Sequence, residues 1–469
     1  MKTLSALSLD AKVVGAVAIV GWLLLFGNTT IIQADRDAPL WHLFPGLWGP
    51  AWLLLCGLLA LAYPLRDHRL GRAFGPRARV LHFAAIVLFF VVVPTIAAIV
   101  LRETGKPYTY IHDGAIMVEE AARKLARGQN PYVADYLDTP LFYWPMINNP
   151  ALYHLTYFPA MFLVSVPFVV AFDRIGLVFD QRYLYLPAYV AACAVVPFVI
   201  PATADRMRTL ALRLSLTAVV VLHPQLFPFV PEGRNDFFVL LFAFIGVALL
   251  VRDRRTLGVL AIAVAAASKL HAGPLLLFVL AYLWWSDRSM PTMERVRRLA
   301  RASWAGALVL AVTFVPFLLN DFAAFYDDVV HYNSGGAAWS YPVSGMGFGA
   351  LLRSFGVISY PQQDFPFAAF QLAAGVPVAI WAMRRLRRDP HIATMLTGYA
   401  LTLIAFAFFG RYFHGNHLGF LIALAAPIPF LRPQLVADLM RRAAPSARPV
   451  PAAAVMAPVA IAEHETPGD

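Results

Sequence analysis

Apolar runs separated by short polar segments make up most of the chain. A membrane-spanning helix needs roughly 17–25 mostly apolar residues to cross a hydrocarbon core about 30 Å thick. Most of the runs approach or reach that length, and we predict transmembrane helices near residues 12–32, 49–65, 80–101, 183–202, 210–224, 236–251, 256–270, 272–285, 303–319, 366–383, 391–410 and 417–431. The pattern therefore predicts an all-α polytopic membrane protein with about twelve transmembrane helices.

The amino-acid composition supports the membrane assignment. Charged residues form 14% of the chain and the mean hydropathy is +0.64, whereas a soluble chain carries about 25% charged residues. The net charge of +11 lies in small clusters between the apolar runs, which argues against one basic face for nucleic acid. Cys56 and Cys193 both lie in apolar runs, so we predict no disulfide framework and no Cys/His metal motif.

Arginine clusters between the runs predict the orientation. Short loops rich in lysine and arginine stay in the cytoplasm, so we place these clusters and both termini on the cytoplasmic side. All the arginine clusters lie on the cytoplasmic side only if the apolar run at 157–172 is a re-entrant or interfacial helix on the outer face and not a full crossing. This topology predicts a long outer segment at 102–182 and outer loops at 225–235, 320–365 and 411–416.

The same pattern divides the chain into three regions. We expect residues 1–79 to form two N-terminal transmembrane helices and a cytoplasmic loop, and residues 80–432 to form the main membrane domain. Residues 433–469 are rich in alanine and proline, which predicts a disordered cytoplasmic tail.

The outer segment opens with a charged, amphipathic stretch, IHDGAIMVEEAARKLARGQNPY, at residues 111–132. Its periodicity predicts a helix at 114–127 that lies flat on the bilayer, apolar face down, with its charged residues paired at i,i+4 spacing. Asp113 directly precedes this helix. One interpretation is an N-cap, because an aspartate there accepts free backbone N–H groups. The other is a catalytic base at the membrane surface.

The order of these features resembles the integral-membrane C-type glycosyltransferases (the GT-C superfamily), especially the family 87 mannosyltransferase-like proteins. An aspartate follows a span, a juxtamembrane helix ends in GQNPY, an aromatic-proline helix YFPAMFLVSVPF follows, and PEGRND and ASKLHAGP come later. The resemblance covers roughly residues 80–430. One departure is Tyr157-Phe158-Pro159, where the family usually has Tyr-Pro-Pro.

The resemblance implies a reaction and a location. Such enzymes move a sugar from a polyprenyl-phosphate donor to an acceptor hydroxyl on the outer face, usually with inversion. It implies a hexose, by likeness mannose, a glycolipid or cell-envelope glycan as acceptor, and a bacterial inner membrane. Asp113 would be the general base, because a hydroxyl is a poor nucleophile until a positioned carboxylate takes its proton.

The resemblance also implies cations around the leaving phosphate, which gains charge in the transition state. Lys269 lies at the outer end of a predicted span, where a cation is costly without a partner. Its alternatives are a side chain that reaches the interface, or an intramembrane pair with Asp236. The other candidates for the donor phosphate are Arg234, Arg411, His271 and His414, with His417 nearby.

Three further residues are candidates for binding the acceptor or supporting Asp113, namely Glu232, Asp236 and Tyr132. We predict no metal and no cofactor, because a closed oxygen shell needs about six ligands. The adjacent Asp327 and Asp328 fit the solvated face of an amphipathic helix better than a metal site.

Two other classes of protein remain open from the sequence. A secondary transporter would also have many spans and intramembrane charges, but its binding helices would recur in two matching halves, and the long outer segment has no counterpart in the second half. A non-catalytic lipid-binding subunit of the same fold is the other alternative, because fold does not fix function.

Overall fold

A computed structural model describes residues 7–27, 29–33, 36–146 and 149–432. The described residues up to Leu431 belong to one compact unit, and the predicted disordered tail lies outside them. In chain order the α-helices are α1 (Leu9–Gly27), α2 (Trp48–Leu70), α3 (Pro76–Thr104), α4 (Asp113–Ala126), α5 (Pro159–Leu163), α6 (Val166–Arg174), α7 (Arg182–Val195), α8 (Arg206–Val221), α9 (Asp236–Leu250), α10 (Arg255–Ser268), α11 (Gly273–Ser286), α12 (Thr292–Asn320), α13 (Phe322–Tyr326), α14 (Tyr332–Ser334), α15 (Phe348–Ser354), α16 (Phe367–Arg388), α17 (Ile392–Phe408), α18 (Gly415–Ala425) and α19 (Ile428–Leu431).

Strands play a minor part in the described residues. One antiparallel pair joins β1 (Thr29–Gln33) to β2 (Arg36–Pro39), and one short parallel pair joins β3 (Ser344–Gly345) to β4 (Tyr412–Phe413). Two π-helical turns interrupt the helices, at Leu88–Val92 within α3 and at Asp327–His331 between α13 and α14. The all-α class predicted from the sequence is confirmed.

The helices also confirm a membrane protein. Six of them, within the described residues, are long and apolar enough to cross a bilayer: α1, α2, α3, α7 with its 3₁₀ extension to Val199, α12 and α16. Five shorter apolar helical segments occupy further predicted spans, at Asp236–Leu250, Arg255–Ser268, Leu270–Ser286, Ile392–Phe408 and Gly415–Leu431. With α8, a helix is found at each of the twelve predicted places, while the number that cross the membrane stays a prediction.

The apolar run at 157–172 forms two short helices, α5 and α6, which meet at Ser165. Each has a proline in its first turn, where the missing N–H costs no intrahelical bond. Their lengths of 5 and 9 residues are well below the roughly 17 residues that a straight crossing requires. This geometry agrees with the expectation of an element that does not span.

Helix α4 is embedded in protein on both faces, which corrects the prediction of a helix that lies on the bilayer. Glu119 and Glu120 are both buried. Glu119 pairs with Arg102 at 2.7 Å and not with Arg123, which instead contacts Glu120 and Asp173. The periodicity of the helix was predicted, but the basic partner of Glu119 comes from a different helix.

A buried ion network fixes α4 to the neighbouring helices. Arg102 at the end of α3 donates to Glu119 and to Asp180 at 2.8–2.9 Å, and Asp180 also accepts from Arg182 at the start of α7. All four side chains are buried. Removing one partner of such a network leaves an uncompensated buried charge, which typically costs about 3–5 kcal/mol.

A second buried ion network joins the first three helices at the other end of α3. Arg79 pairs with Asp10 of α1 at 2.7 Å and with Asp67 of α2, and it donates to the carbonyl of Phe74 at 2.8 Å. Arg79 and Arg102 are both on α3, so a rise of 1.5 Å per residue separates the two networks by about 35 Å.

The helix pair α9–α10 positions the polar residues that follow. Gly246 and Gly258 lie where the two helices touch, and a Cβ on Gly246 would overlap Ile262. Small residues at such crossings let helix backbones approach closely. Because α9 and α10 are antiparallel neighbours, the first residue of α9 and the residue after α10 lie side by side.

Candidate functional site

The carboxylate of Asp113 lies at the N-terminal end of α4. His112 is the residue that caps the helix, and Asp113 is its first residue. Asp113 Oδ1 accepts the N–H of Gly114 at 2.7 Å and lies 2.7 Å from His112 Nδ1. The N-cap is therefore His112, whose Nδ1 accepts the Gly114 N–H at 3.1 Å, and not Asp113 as the capping interpretation had it. The Asp113 side chain stays partly exposed, so it can also meet a ligand.

Two loops meet at Asp113. The N–H of His112 donates to the carbonyl of Glu232 at 2.8 Å, which joins the loop before α4 to the loop before α9. The hydroxyl of Tyr157 lies against Gly114, where any Cβ would overlap it. Tyr132, a predicted supporting residue, donates its buried hydroxyl to the carbonyl of Tyr157 at 2.7 Å. Tyr132 therefore acts on the site through Tyr157.

The Asp113 carboxylate is held in its ionised form. Burial alone would raise the pKa of Asp113, but His112, the Gly114 N–H and the positive charge of Arg234 outweigh it, so the pKa lies below its ordinary value. The carboxylate is thus ready to accept a proton at neutral pH. Its lowered pKa also means that its strength as a base depends on its position next to the acceptor.

The lowered pKa of Asp113 predicts the pH profile of the reaction. An aspartate ordinarily titrates at about 3.9, and a lower folded value keeps the Asp113 carboxylate ionised throughout the neutral and mildly acidic range. If Asp113 is the base, we expect kcat/KM to decrease on acidification only below about pH 5. A limb centred near pH 6.5 would instead assign the base to a histidine. The measurement is kcat/KM for sugar transfer between about pH 4 and 9.

Lys269 and Asp236 form an ion pair at the meeting point of α9 and α10. Lys269 Nζ lies 2.6 Å from Asp236 Oδ1 and 3.0 Å from Asn235 Oδ1. This is the intramembrane pair that the sequence left open as an alternative. An ammonium has three N–H donors, so these contacts leave one of them for a ligand. Asn416 at the start of α18 donates to the other carboxylate oxygen at 3.3 Å.

Arg234 presents an open guanidinium beside Asp113. Its Nε donates to Glu232 Oε2 at 2.6 Å, and its guanidinium carbon lies 4.0 Å from the ring centre of Phe229. Neither Nη group hydrogen-bonds with any residue that the structure describes. Burial opposes the charge, yet Glu232, Asp236 and Asp113 together raise the pKa of Arg234. A charged guanidinium with free N–H groups can donate hydrogen bonds to two oxygens of a phosphate.

Asp113, Arg234, Asp236 and Lys269 form a polar cluster, and three histidines lie next to it. The rings of His271 and His417 are 4.8 Å apart, and His414 Nε2 lies 3.3 Å from the hydroxyls of Tyr341 and Ser344. Burial, with smaller effects from Arg234 and His112, lowers the pKa of His414 to about 4. His414 is therefore neutral at pH 7 and adds no positive charge, and its side chain caps the first turn of α18.

A small, closely packed cavity borders this cluster. Its polar end is formed by Asp236, Lys269, His271 and His417. Its apolar wall is formed by Leu403, Ala407, Phe420 and Leu421 of α17 and α18. The N-terminal ends of α9 and α18 both point at the polar end, and a helix N-terminus favours an anion. This end of the cavity is therefore suited to an anion.

Arg411 is separate from this cluster. Its guanidinium is almost fully buried and donates to the carbonyls of Tyr341, Pro361 and Gln363. These contacts hold together the loop before α15 and the loop after it. Since backbone oxygens take three of its five N–H groups and the guanidinium is buried, Arg411 orders the loop that carries Tyr341, and we leave it out of the phosphate site.

Asp328 does not lie on the solvated helix face that the sequence predicted. It is buried, lies 2.8 Å from His154 Nδ1 and accepts the N–H of Leu155 at 2.9 Å. Oxygen and nitrogen atoms of His154, Asp327 and Asp328 all lie within 4.8 Å of one another. These hydrogen bonds join the outer segment to the π-helical turn after α13.

Sequence reasoning missed several residues of the cluster. His112, Tyr157, Asn235 and Asn416 each touch a predicted site residue, and Tyr341 approaches His414. Adjacency in the chain could have suggested His112 and Asn235. The other contacts cross between distant segments, so no local pattern could have indicated them.

Comparison with known proteins identifies the family. The model of glycosyltransferase family 87 matches residues 155–408, which is more than half of the chain. The matched region includes Arg234, Asp236, Lys269 and His271, while Asp113 precedes it and His414 follows it. No curated protein sequence matches the chain. The extent of the match shows that this membrane protein is a glycosyltransferase and belongs to family 87.

Proposed function

We propose that the protein transfers a sugar from a polyprenyl-phosphate donor to a glycolipid or a cell-envelope glycan. The sugar is a hexose, and the family likeness favours mannose. The active site opens on the outer face of a bacterial inner membrane, with residues 80–432 as the catalytic membrane domain. Family membership supports sugar transfer, and the chemistry of the cluster supports the lipid phosphate.

The proposal rests on one cluster that contains an ionised carboxylate and two cations. Some N–H groups of these cations have no hydrogen-bond partner among the described residues. Asp113 is ionised, Arg234 has two free Nη groups among the described contacts, and Lys269 has one free N–H. A base and an anion site within one cluster are what transfer from a phosphate requires.

The reaction follows from these positions. Asp113 takes the proton of the acceptor hydroxyl while that oxygen attacks the anomeric carbon of the donor sugar. The bond between the anomeric carbon and the phosphate oxygen breaks, and its electron pair leaves with the lipid phosphate. Arg234 and Lys269 stabilise the charge that develops there. One displacement inverts the anomeric configuration, and the proton ends on Asp113.

A transfer assay tests this proposal. Purified protein in lipid receives a panel of polyprenyl-phospho-sugars, with mannose, glucose and arabinofuranose as head groups, and membrane glycolipids as acceptors. We expect labelled sugar to appear on the acceptor as polyprenyl phosphate is released in equal amount. If none of these donors is consumed, the proposed donor class is wrong, although family membership stands.

A further inference from the structure

Arg182 occupies a fully buried position between the two loops that carry the proposed base and the proposed phosphate ligand. It is 0% exposed. Its Nε and Nη2 hold Asp180 at 2.9 and 2.6 Å, and the remaining nitrogen, Nη1, donates to two backbone carbonyls. Neither carbonyl belongs to the helix on which Arg182 lies.

Those two carbonyls define the role of Arg182. The carbonyl of Tyr110, at 2.7 Å, is three residues before Asp113, and that of Pro231, at 2.8 Å, is three residues before Arg234. The same two loops are also joined by the bond from His112 to Glu232. Arg182 therefore ties the position of the carboxylate to that of the guanidinium.

The backbone around this contact has little freedom to adjust. Tyr110 has a φ of 59°, a left-handed conformation that residues other than glycine seldom adopt. Gly233 has a φ of 83°, and a Cβ there would press on Ala115 and Arg182. Such conformations persist only where the surroundings hold them. The bonds to Arg182 provide part of that restraint on both loops.

We infer that Arg182 is a positioning residue for sugar transfer, because it fixes the distance between Asp113 and Arg234 through the carbonyls of Tyr110 and Pro231. This inference rests on the proposed function. Arg182 does not touch the substrates, and its effect is on the geometry of the displacement. A misplacement of about 1 Å in a catalytic group can cost about 100-fold in rate.

The test compares Arg182→Lys with Arg79→Lys. Both arginines are buried and paired with aspartates, but Arg79 belongs to the other network on α3. Lysine keeps the charge, while its single nitrogen cannot take the places of three guanidinium nitrogens. We expect Arg182→Lys to lower kcat per folded enzyme by at least about 10-fold. The donor KM should rise as well, because Arg182 holds the loop of Arg234, a proposed ligand of the donor phosphate, whereas Arg79→Lys should leave both constants unchanged.

A measurement without substrates separates the two proposals. In Arg182→Lys, hydrogen exchange should speed up in peptides that cover residues 108–116 and 229–236, and in Arg79→Lys it should stay as in the wild type there. Equal exchange and equal kcat per folded enzyme in both variants would overturn the role of Arg182. If the wild-type protein transfers no sugar, the proposed function fails, and the exchange measurement alone decides whether Arg182 holds the two loops.

Discussion

Replacing Asp113 by asparagine is expected to lower sugar transfer by at least about 100-fold, since general-base catalysis contributes about 10²–10⁴ in rate. The asparagine side chain keeps an oxygen for the Gly114 N–H, so α4 should start at the same residue. What the variant loses is the negative charge that accepts the proton. Single-turnover rates with saturating donor and acceptor measure this loss apart from binding.

Donor binding provides the internal control for Asp113→Asn. Arg234 lies close enough for its charge to act on Asp113, so removing the carboxylate should leave donor affinity unchanged or increase it. Asp173→Asn is the matched variant, because Asp173 is a partly exposed acid of the same outer segment, and it should keep wild-type rates. A rate for Asp113→Asn within about threefold of the wild type would restrict Asp113 to its structural contact with Gly114.

Replacing Lys269 by alanine should have the second large effect. The proposed cationic donor to the leaving phosphate is lost, and removing a single transition-state donor costs about 10²–10³ in rate. The same change leaves Asp236 buried without its cation, which typically costs about 3–5 kcal/mol of stability. Measurements of kcat/KM for the donor and of thermal unfolding should therefore both show large losses.

A second substitution separates the two effects of Lys269→Ala. In Lys269→Ala/Asp236→Asn no uncompensated charge remains, so most of the stability should return while transfer stays low. Lys124→Ala is the control, because Lys124 is also buried and paired with an aspartate but lies at the far end of α4. If the double variant recovers transfer together with stability, Lys269 serves only to neutralise Asp236.

The helices themselves could be predicted from the sequence because their signal is local. A long apolar run specifies a helix wherever it occurs, and each predicted span contains one. The proximity of Lys269 and Asp236 was also accessible, since residues at the joined ends of two successive antiparallel helices meet. Even so, the sequence left the pair as one of several alternatives, because spacing does not reveal which side chains are desolvated together.

Contacts between distant segments could not be predicted. Glu119 was expected to pair four residues along its own helix, but it meets Arg102 from α3, and this partner explains why α4 is embedded in protein. Arg411 appeared to be a phosphate ligand because of its place at a predicted span end, whereas the loop before α16 supplies carbonyls that surround it. Charged residues in a membrane protein show that partners exist but do not name them.

In the proposed reaction, Asp113 activates an acceptor hydroxyl for one direct displacement of the lipid phosphate. The anomeric configuration of the product, determined by NMR against that of the donor sugar, tests it most directly. A single displacement predicts inversion at the anomeric carbon. Retention would contradict it, because retention requires two displacements and would make a carboxylate a nucleophile instead of a base.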